Sequence, residues 1–153
     1  MAQQTVPGLA PATVGELFAY ALAAKDSRRV RSLLSDELDF QGLTPGRHWA
    51  AATAREAVDD IMLRHWFGPG DDVHEIRSVS VGQVADRERV AYRFGIRRGG
   101  QEYVLEQQAY YDSDGERITW IRILCSGYRP AESSVATALQ CNIRDHEEGK
   151  THA

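Results

Sequence analysis

The stretch from Asp72 to Arg129 constrains the fold more than any other. It holds four segments rich in β-branched and aromatic residues, separated by Ala85-Asp86-Arg87-Glu88, Arg98-Gly99-Gly100 and Asp112-Ser113-Asp114-Gly115. Gly and Asp tolerate the positive φ that tight reversals need, so the spacing predicts a four-stranded antiparallel meander. Its strands are expected over Asp72–Val84, Glu88–Arg97, Gln101–Asp112 and Arg117–Arg129. In the second, Val90, Tyr92, Phe94 and Ile96 alternate with Arg89, Ala91, Arg93 and Gly95, which marks one face for a core. In the third, Tyr103, Leu105, Gln107, Ala109 and Tyr111 share one side, against Glu102, Val104, Glu106, Gln108 and Tyr110. The last strand is apolar on both faces, with Ile121, Ile123 and Cys125 against Trp120, Arg122 and Leu124. A strand of that kind is covered on both sides.

The segments before the meander supply one of the two covers. Thr13 caps a helix carrying Val14, Leu17, Phe18, Ala21 and Leu22, and Ser27 is read as the cap of a shorter one presenting Val30, Leu33 and Leu34. Leu38 to Leu43 reads as a short strand ended by Thr44-Pro45-Gly46, with Arg47, His48 and Trp49 on a loop after it. A third helix is expected from about Thr53 to Phe67, with Ala54, Ala57, Val58, Ile61, Met62 and His65 toward one side, and Gly68-Pro69-Gly70 stops it. Three helices cover only one face of a sheet. The other cover is expected to be a second copy of the chain, giving a homodimer through the sheet face. Residues 1–12 read as a leader, 13–130 as the folded domain, and 131–153 as a polar tail with a short helix possible over Ser133–Gln140.

Composition narrows the partners. With 153 residues, 22 acidic and 18 basic side chains, the net charge is −4, which gives no general attraction for nucleic acid or anionic lipid. No stretch approaches the roughly 20 apolar residues of a membrane span, and Met1 to Pro11 lacks the pattern of a secretion signal, so a cytoplasmic protein is expected. Cys125 and Cys141 stand far from any metal-ligand spacing, and two idle thiols in a reducing compartment are the expected state. His48, His65 and His74 are too scattered for a zinc site, and no metal or cofactor is expected. Arg89, Arg93, Arg97 and Arg98 alternate with apolar residues, as on a solvated strand face where Glu102 and Glu106 can pair with them. No phosphate loop, nucleophile elbow or Cys-His pair is present.

The order of two helices, a short strand, a helix opening on Ala54-Arg55-Glu56-Ala57-Val58 and a long meander resembles the nuclear transport factor 2-like superfamily, and within it the SnoaL-like proteins. The resemblance runs from about Thr13 to Pro130. Its most specific piece is Tyr110-Tyr111-Asp112-Ser113-Asp114-Gly115-Glu116-Arg117-Ile118, similar to the final hairpin recurring in that group with one extra residue after the Gly. The resemblance implies an α+β cone in which three N-terminal helices pack on a strongly bent, antiparallel or mixed sheet and enclose an apolar pocket. It also implies a small, mostly apolar ligand, polyketide-, terpenoid- or steroid-like. Pocket residues expected on that basis are Phe18 and Leu22 from the first helix, Phe40 from the first strand, Trp49, and Ile61, His65 and Trp66 from the third helix. Tyr92, Phe94, Tyr103, Leu105, Gln107, Ile121, Ile123 and Cys125 are expected from the meander.

The family's enzymes imply catalytic groups that are missing here. Where steroid isomerases carry a Tyr, an Asp base and an acid, this chain has Phe18, Gly42 and Gln107. Where limonene-type epoxide hydrolases carry Arg-x-Asp and a second Asp, it has Arg89-Val90-Ala91 and Ile123. SnoaL-type cyclases rely on an Asp near position 107, where Gln107 stands beside an outward-facing Glu106. Without a carboxylate base or acidic donor, proton abstraction has no agent. The leading expectation is therefore a pocket protein that binds its ligand, with Gln107, Tyr103 or His65 fixing orientation. An alternative is an enzyme using His65 or His48, which resemblance places at the pocket mouth, with a displaced carboxylate such as Asp39 or Glu106. A further alternative is a dimeric interaction module with a filled pocket.

Overall fold

The computed structural model describes residues 12–131; the tail helix, Cys141 and nearly all of the leader lie outside the described residues. Three helices, α1 (Val14–Ala23), α2 (Ser27–Ser32) and α3 (Glu56–Trp66), accompany strands β1 (Leu34–Thr44), β2 (Arg47–Ala51), β3 (Asp71–Val84), β4 (Arg87–Arg98), β5 (Gln101–Ser113), β6 (Ile118–Cys125) and β7 (Arg129–Pro130). The strands form one mixed sheet in the order β2-β1-β6-β5-β4-β3, with β7 pairing β5. Every neighbouring pair is antiparallel except β1 with β6, where the chain crosses over through α3 and the meander. The chain folds as α+β, helices on a large sheet, as expected.

Local chemistry explains the helix starts. Thr13 accepts from the Glu16 N–H while the Glu16 side chain returns a bond to the Thr13 N–H, a reciprocal cap. The second helix starts one residue earlier than expected: Asp26 is its cap, accepting from the Arg29 N–H at 3.0 Å, and Ser27 is its first residue. Carboxylate caps do this well because the helix N-terminus carries partial positive charge. The third helix is wound with i→i+5 bonds, ending with the Phe67 N–H on the Met62 carbonyl. Ala57, Val58, Ile61, Met62 and Trp66 face the sheet, while His65, expected with them, is exposed.

The core lies between the helices and one face of the sheet. Phe18 meets Tyr92 edge-on, Tyr92 stacks on Phe94 at 5.0 Å between ring centroids, and Phe94 meets Phe67. Each such pair adds about 0.5–1.5 kcal/mol beyond its area burial. The Tyr111 hydroxyl accepts from the Gly15 N–H at 3.0 Å and ties α1 to the sheet.

The structure departs from expectation in two places that shape the functional site. Arg47–Ala51 is a strand, not a loop, and turns back on β1 through Pro45-Gly46, pairing Gly42 with Trp49 and Leu43 with His48. The expected strand Arg117–Arg129 breaks after Cys125, bulges over Ser126–Tyr128 and resumes as β7 against Tyr103 and Val104 of β5. Gly127 permits the bulge: its φ is +77°, and a Cβ there would lie 2.7 Å from Pro45 Cγ.

Candidate functional site: a cavity at the rim of the sheet

The bulge and the β1–β2 turn meet at Gly127 and Pro45 and, with the end of α3, wall a cavity of about 390 Å³. Its walls are Thr44, Pro45 and Trp49 from the hairpin, His65 and Trp66 from the end of α3, Leu105 and Cys125 from the sheet, and the segment Ser126–Arg129 with Arg98. Trp49, 9% exposed, forms part of the wall. Its Nε1–H donates to Thr44 Oγ1 at 2.8 Å, Arg47 lies 3.5 Å over its ring, and His65 stacks on it at 5.1 Å. Arginine over an indole face is held by the ring quadrupole, which helps keep the aromatic wall in place.

Trp66 forms the inner wall. It is 4% exposed, its ring edge rests on Gly42, and it packs against Phe40 and edge-on to Trp49. A Cβ on residue 42 would sit 2.7 Å from Trp66 Cη2, so a glycine is what lets the indole lie there. Its Nε1–H is buried and has no acceptor among the described residues. Behind the cavity, paired with Cys125, Gln107 is fully buried; its Oε1 accepts from the Tyr92 hydroxyl at 2.6 Å, and its Nε2 also lacks an acceptor. Burial pushes the Tyr92 pKa well above its ordinary value, so the phenol stays protonated and donates. Buried donors without partners are rare, because each forfeits its hydrogen bonds to water.

A polar clamp holds the rim. Asp71, 7% exposed at the start of β3, accepts from Arg98 Nε and, at 2.9 Å, from Arg98 Nη2, and from the Gly68 N–H at 2.9 Å. The Tyr128 hydroxyl reaches both the Trp66 carbonyl and Asp71 Oδ2, and Arg98 lies 3.9 Å over the Tyr128 ring. Lys25 donates to the carbonyls of Gly68 and Asp71 at 2.6 and 2.7 Å. Burial acts to raise the Asp71 pKa, but the hydrogen bonds from Arg98 and Gly68 outweigh it and the carboxyl titrates below its ordinary value. Burial, followed by the Asp71 charge, pushes the Tyr128 phenol well above the usual range.

The structure gathers Trp49, His65, Trp66, Leu105 and Cys125 of the expected pocket residues around this cavity. Phe18, Leu22, Phe40, Ile61, Tyr92, Phe94, Gln107, Ile121 and Ile123 belong to the packed core, and Tyr103 lies edge-on to Tyr128. His48 is not at the cavity mouth: β2 is a strand, so its alternation turns His48 to the sheet's outer face, bonded to Gln41 at 3.0 Å. The carboxylates considered for catalysis point outward too. Asp39 pairs with Arg122 and Glu106 with Arg93, while Gln107 keeps the inward register that alternation predicts. Among the described residues no carboxylate lines the cavity. Arg98, read from the sequence as part of a solvated strand face, instead pairs with buried Asp71 and lines the cavity, while Tyr128 and Ser126–Gly127 escaped the sequence reading; the signal for the latter was the glycine at 127, read as lying within a continuous strand.

The sequence matches no family model and no curated protein. Among solved structures the chain is similar to an LEH-like epoxide hydrolase of M. tuberculosis, with TM-score 0.55, 17% identity, and 74% of this chain and 80% of that one covered. It is also similar to an NTF2-like protein of Burkholderia thailandensis (TM-score 0.57, 10% identity, 76% and 92% covered). A third is a protein of Catenulispora acidiphila with a ketosteroid isomerase-like fold, in complex with trimethylamine (TM-score 0.50, 16% identity, 78% and 85% covered). The class is thus clear: the chain has the nuclear transport factor 2-like fold, shared by SnoaL-like proteins. Identities this low speak to the fold alone.

Proposed function

We propose that this protein binds a small, mostly apolar molecule in the rim cavity, and that the ligand carries a hydrogen-bond acceptor for the Trp66 indole N–H. The observation that carries the reading is that Trp66, whose buried indole N–H has no acceptor among the described residues, lines the cavity with Trp49, Leu105, Cys125 and Tyr128 beside the polar Thr44, His65, Arg98 and Ser126. A ketone or ether oxygen at that point would satisfy the donor, and the rings would take the hydrocarbon part. Binding is favoured over catalysis because no described residue of the cavity lining is a carboxylate and the Asp71 carboxylate is committed to Arg98.

The test compares 1-tetralone with tetralin, which lacks the carbonyl, by isothermal titration against the native protein and Trp66→Phe. The ketone is expected to bind about 5-fold more tightly than the hydrocarbon, the worth of roughly 1 kcal/mol for one net hydrogen bond. Trp66→Phe abolishes that preference and leaves tetralin affinity unchanged. Equal binding of both compounds to the native protein removes the acceptor; failure of both to saturate removes the binding function itself.

The same reading includes a homodimer through the outer face of the sheet. Leu43, Leu124 and Tyr110 are exposed there around a groove of about 330 Å³. The charges of that face are already matched within it, Arg122 with Asp39 and Arg93 with Glu106, so two like faces meet without repulsion. Light scattering at micromolar concentration is expected to give twice the chain mass, and Leu124→Glu the single mass. A single mass for the native protein overturns the dimer.

A further inference from the structure

At the opposite end of α3 and β6 from the rim cavity lies a second cleft, of about 380 Å³. Four arginines converge on it from three separate parts of the chain: Arg28 and Arg31 from α2, Arg55 from the start of α3, and Arg117 from the turn before β6. Among the described residues Asp36 is the one carboxylate in the lining and Asp59 approaches Arg31 from outside it, so the four positive charges outnumber the carboxylates that reach them in a chain whose net charge is −4.

The contrast with the rest of the surface is informative. Arginines on the outer sheet face are closely matched: Arg93 to Glu106 at 2.9 Å, Arg97 to Glu102 at 2.9 Å, Arg87 to Asp112 at 3.1 Å and Arg122 to Asp39 at 3.0 Å. In the cleft, Arg117 reaches Asp36 only at 4.0 Å, and that aspartate side chain is 94% exposed. Arg31 meets Asp59 at 3.5 Å, and neither Arg28 nor Arg55 has an ion-pair partner among the described residues. Like charges held together in a concave site repel unless an anion is between them.

We propose that this cleft binds a small polyanion, a diphosphate, either free or carried by a nucleotide. Planar guanidinium groups from different elements grip tetrahedral phosphoryl oxygens in paired hydrogen bonds, and two linked phosphoryl groups offer the negative charge that balances the lining. The remaining lining residues are Ser32 and Ala54, with no ring on which a base could stack, which sets this site apart from a single-strand nucleic acid groove. No large apolar side chain lines the cleft, so nothing there would enter a lipid surface. This site stands independently of the rim cavity.

The experiment titrates the full chain with inorganic pyrophosphate at low ionic strength, measuring heat, for the native protein, the double variant Arg28→Gln/Arg55→Gln, and Arg64→Gln. Arg28, Arg55 and Arg64 are all exposed, so these changes leave the core intact. Arg64 lies on the same helix toward the rim end and controls for loss of one charge. Saturable binding to one site is expected, weakened at least about 10-fold in the double variant and within about 2-fold of native in Arg64→Gln. ADP binding as tightly as pyrophosphate supports a nucleotide source, and ADP excluded while pyrophosphate binds supports the free ion. Absence of saturable heat overturns the site, as does an equal loss in Arg64→Gln. Citrate matching pyrophosphate overturns the phosphoryl assignment.

Discussion

Replacing Asp71 with alanine is expected to loosen the rim of the cavity and to cost about 2–3 kcal/mol, a figure that follows from the clamp's geometry. The carboxylate accepts from Arg98 twice, from the Gly68 N–H and from Tyr128, and it is 7% exposed. Breaking a fully buried ion pair costs roughly 3–5 kcal/mol. The Arg98 side chain is 44% exposed and regains water when its partner is lost, which lowers the figure. The Gly68 N–H is buried and regains less, so the loss stays well above that of a surface pair. With a urea m-value of about 2 kcal/mol/M for a chain of this size, the unfolding midpoint should fall by about 1–1.5 M. The pH dependence follows from the lowered Asp71 pKa: the folded carboxyl titrates below its unfolded value of about 3.9, so its stabilisation is present above that value and is lost as pH falls through the folded one. Native protein should lose stability on acidification below about pH 4, and Asp71→Asn should show a shallower loss over the same range. Urea titrations of native protein, Asp71→Ala, Arg98→Ala and the double variant form the assay. A change under about 0.5 kcal/mol in Asp71→Ala, or full additivity in the cycle, would show that the clamp behaves as an ordinary surface pair.

Gly42→Ala places a Cβ 2.7 Å from the Trp66 ring and should cost about 1–3 kcal/mol in urea unfolding while pushing the indole toward the cavity and weakening 1-tetralone binding; unchanged stability and affinity would refute the role of Gly42. Tyr92→Phe strands Gln107 Oε1 in the core and should cost about 1–3 kcal/mol, whereas Tyr92→Phe combined with Gln107→Leu should recover most of that loss. A double variant no more stable than the single one would contradict that account.

Much of the fold was legible because turn chemistry and alternation act locally. The reversals at Ala85-Asp86, Gly99-Gly100 and Asp114-Gly115 lie where Gly and Asp placed them, and the inward register of Gln107 follows from the pattern around it. Strand β2 was hidden because Arg47–Ala51 is short and poor in β-branched residues; it forms by pairing with β1, a contact that composition does not encode. His48 was misplaced for the same reason, since its direction depends on that pairing. The rim cavity depends on a bulge after Cys125 and on Asp71 finding Arg98 across the β3–β4 pair and Tyr128 from beyond β6, and such long-range meetings leave no local trace. The outward direction of Glu106 was readable, because it needed only residue identity and the parity of β5, whereas the buried Asp71 was not singled out.

The most direct test of the binding account is the indole N–H region of a ¹⁵N-correlated NMR spectrum during titration with 1-tetralone. Three tryptophans report separately: Trp49 donates to Thr44, Trp66 has no acceptor among the described residues, and Trp120 lies between Arg87 and Arg122 on the outer face. The account predicts that the Trp66 proton moves downfield and saturates, that Trp49 moves less, and that Trp120 stays still. A Trp66 resonance that stays fixed while the ketone is demonstrably bound, or three resonances that drift together without saturation, would contradict it.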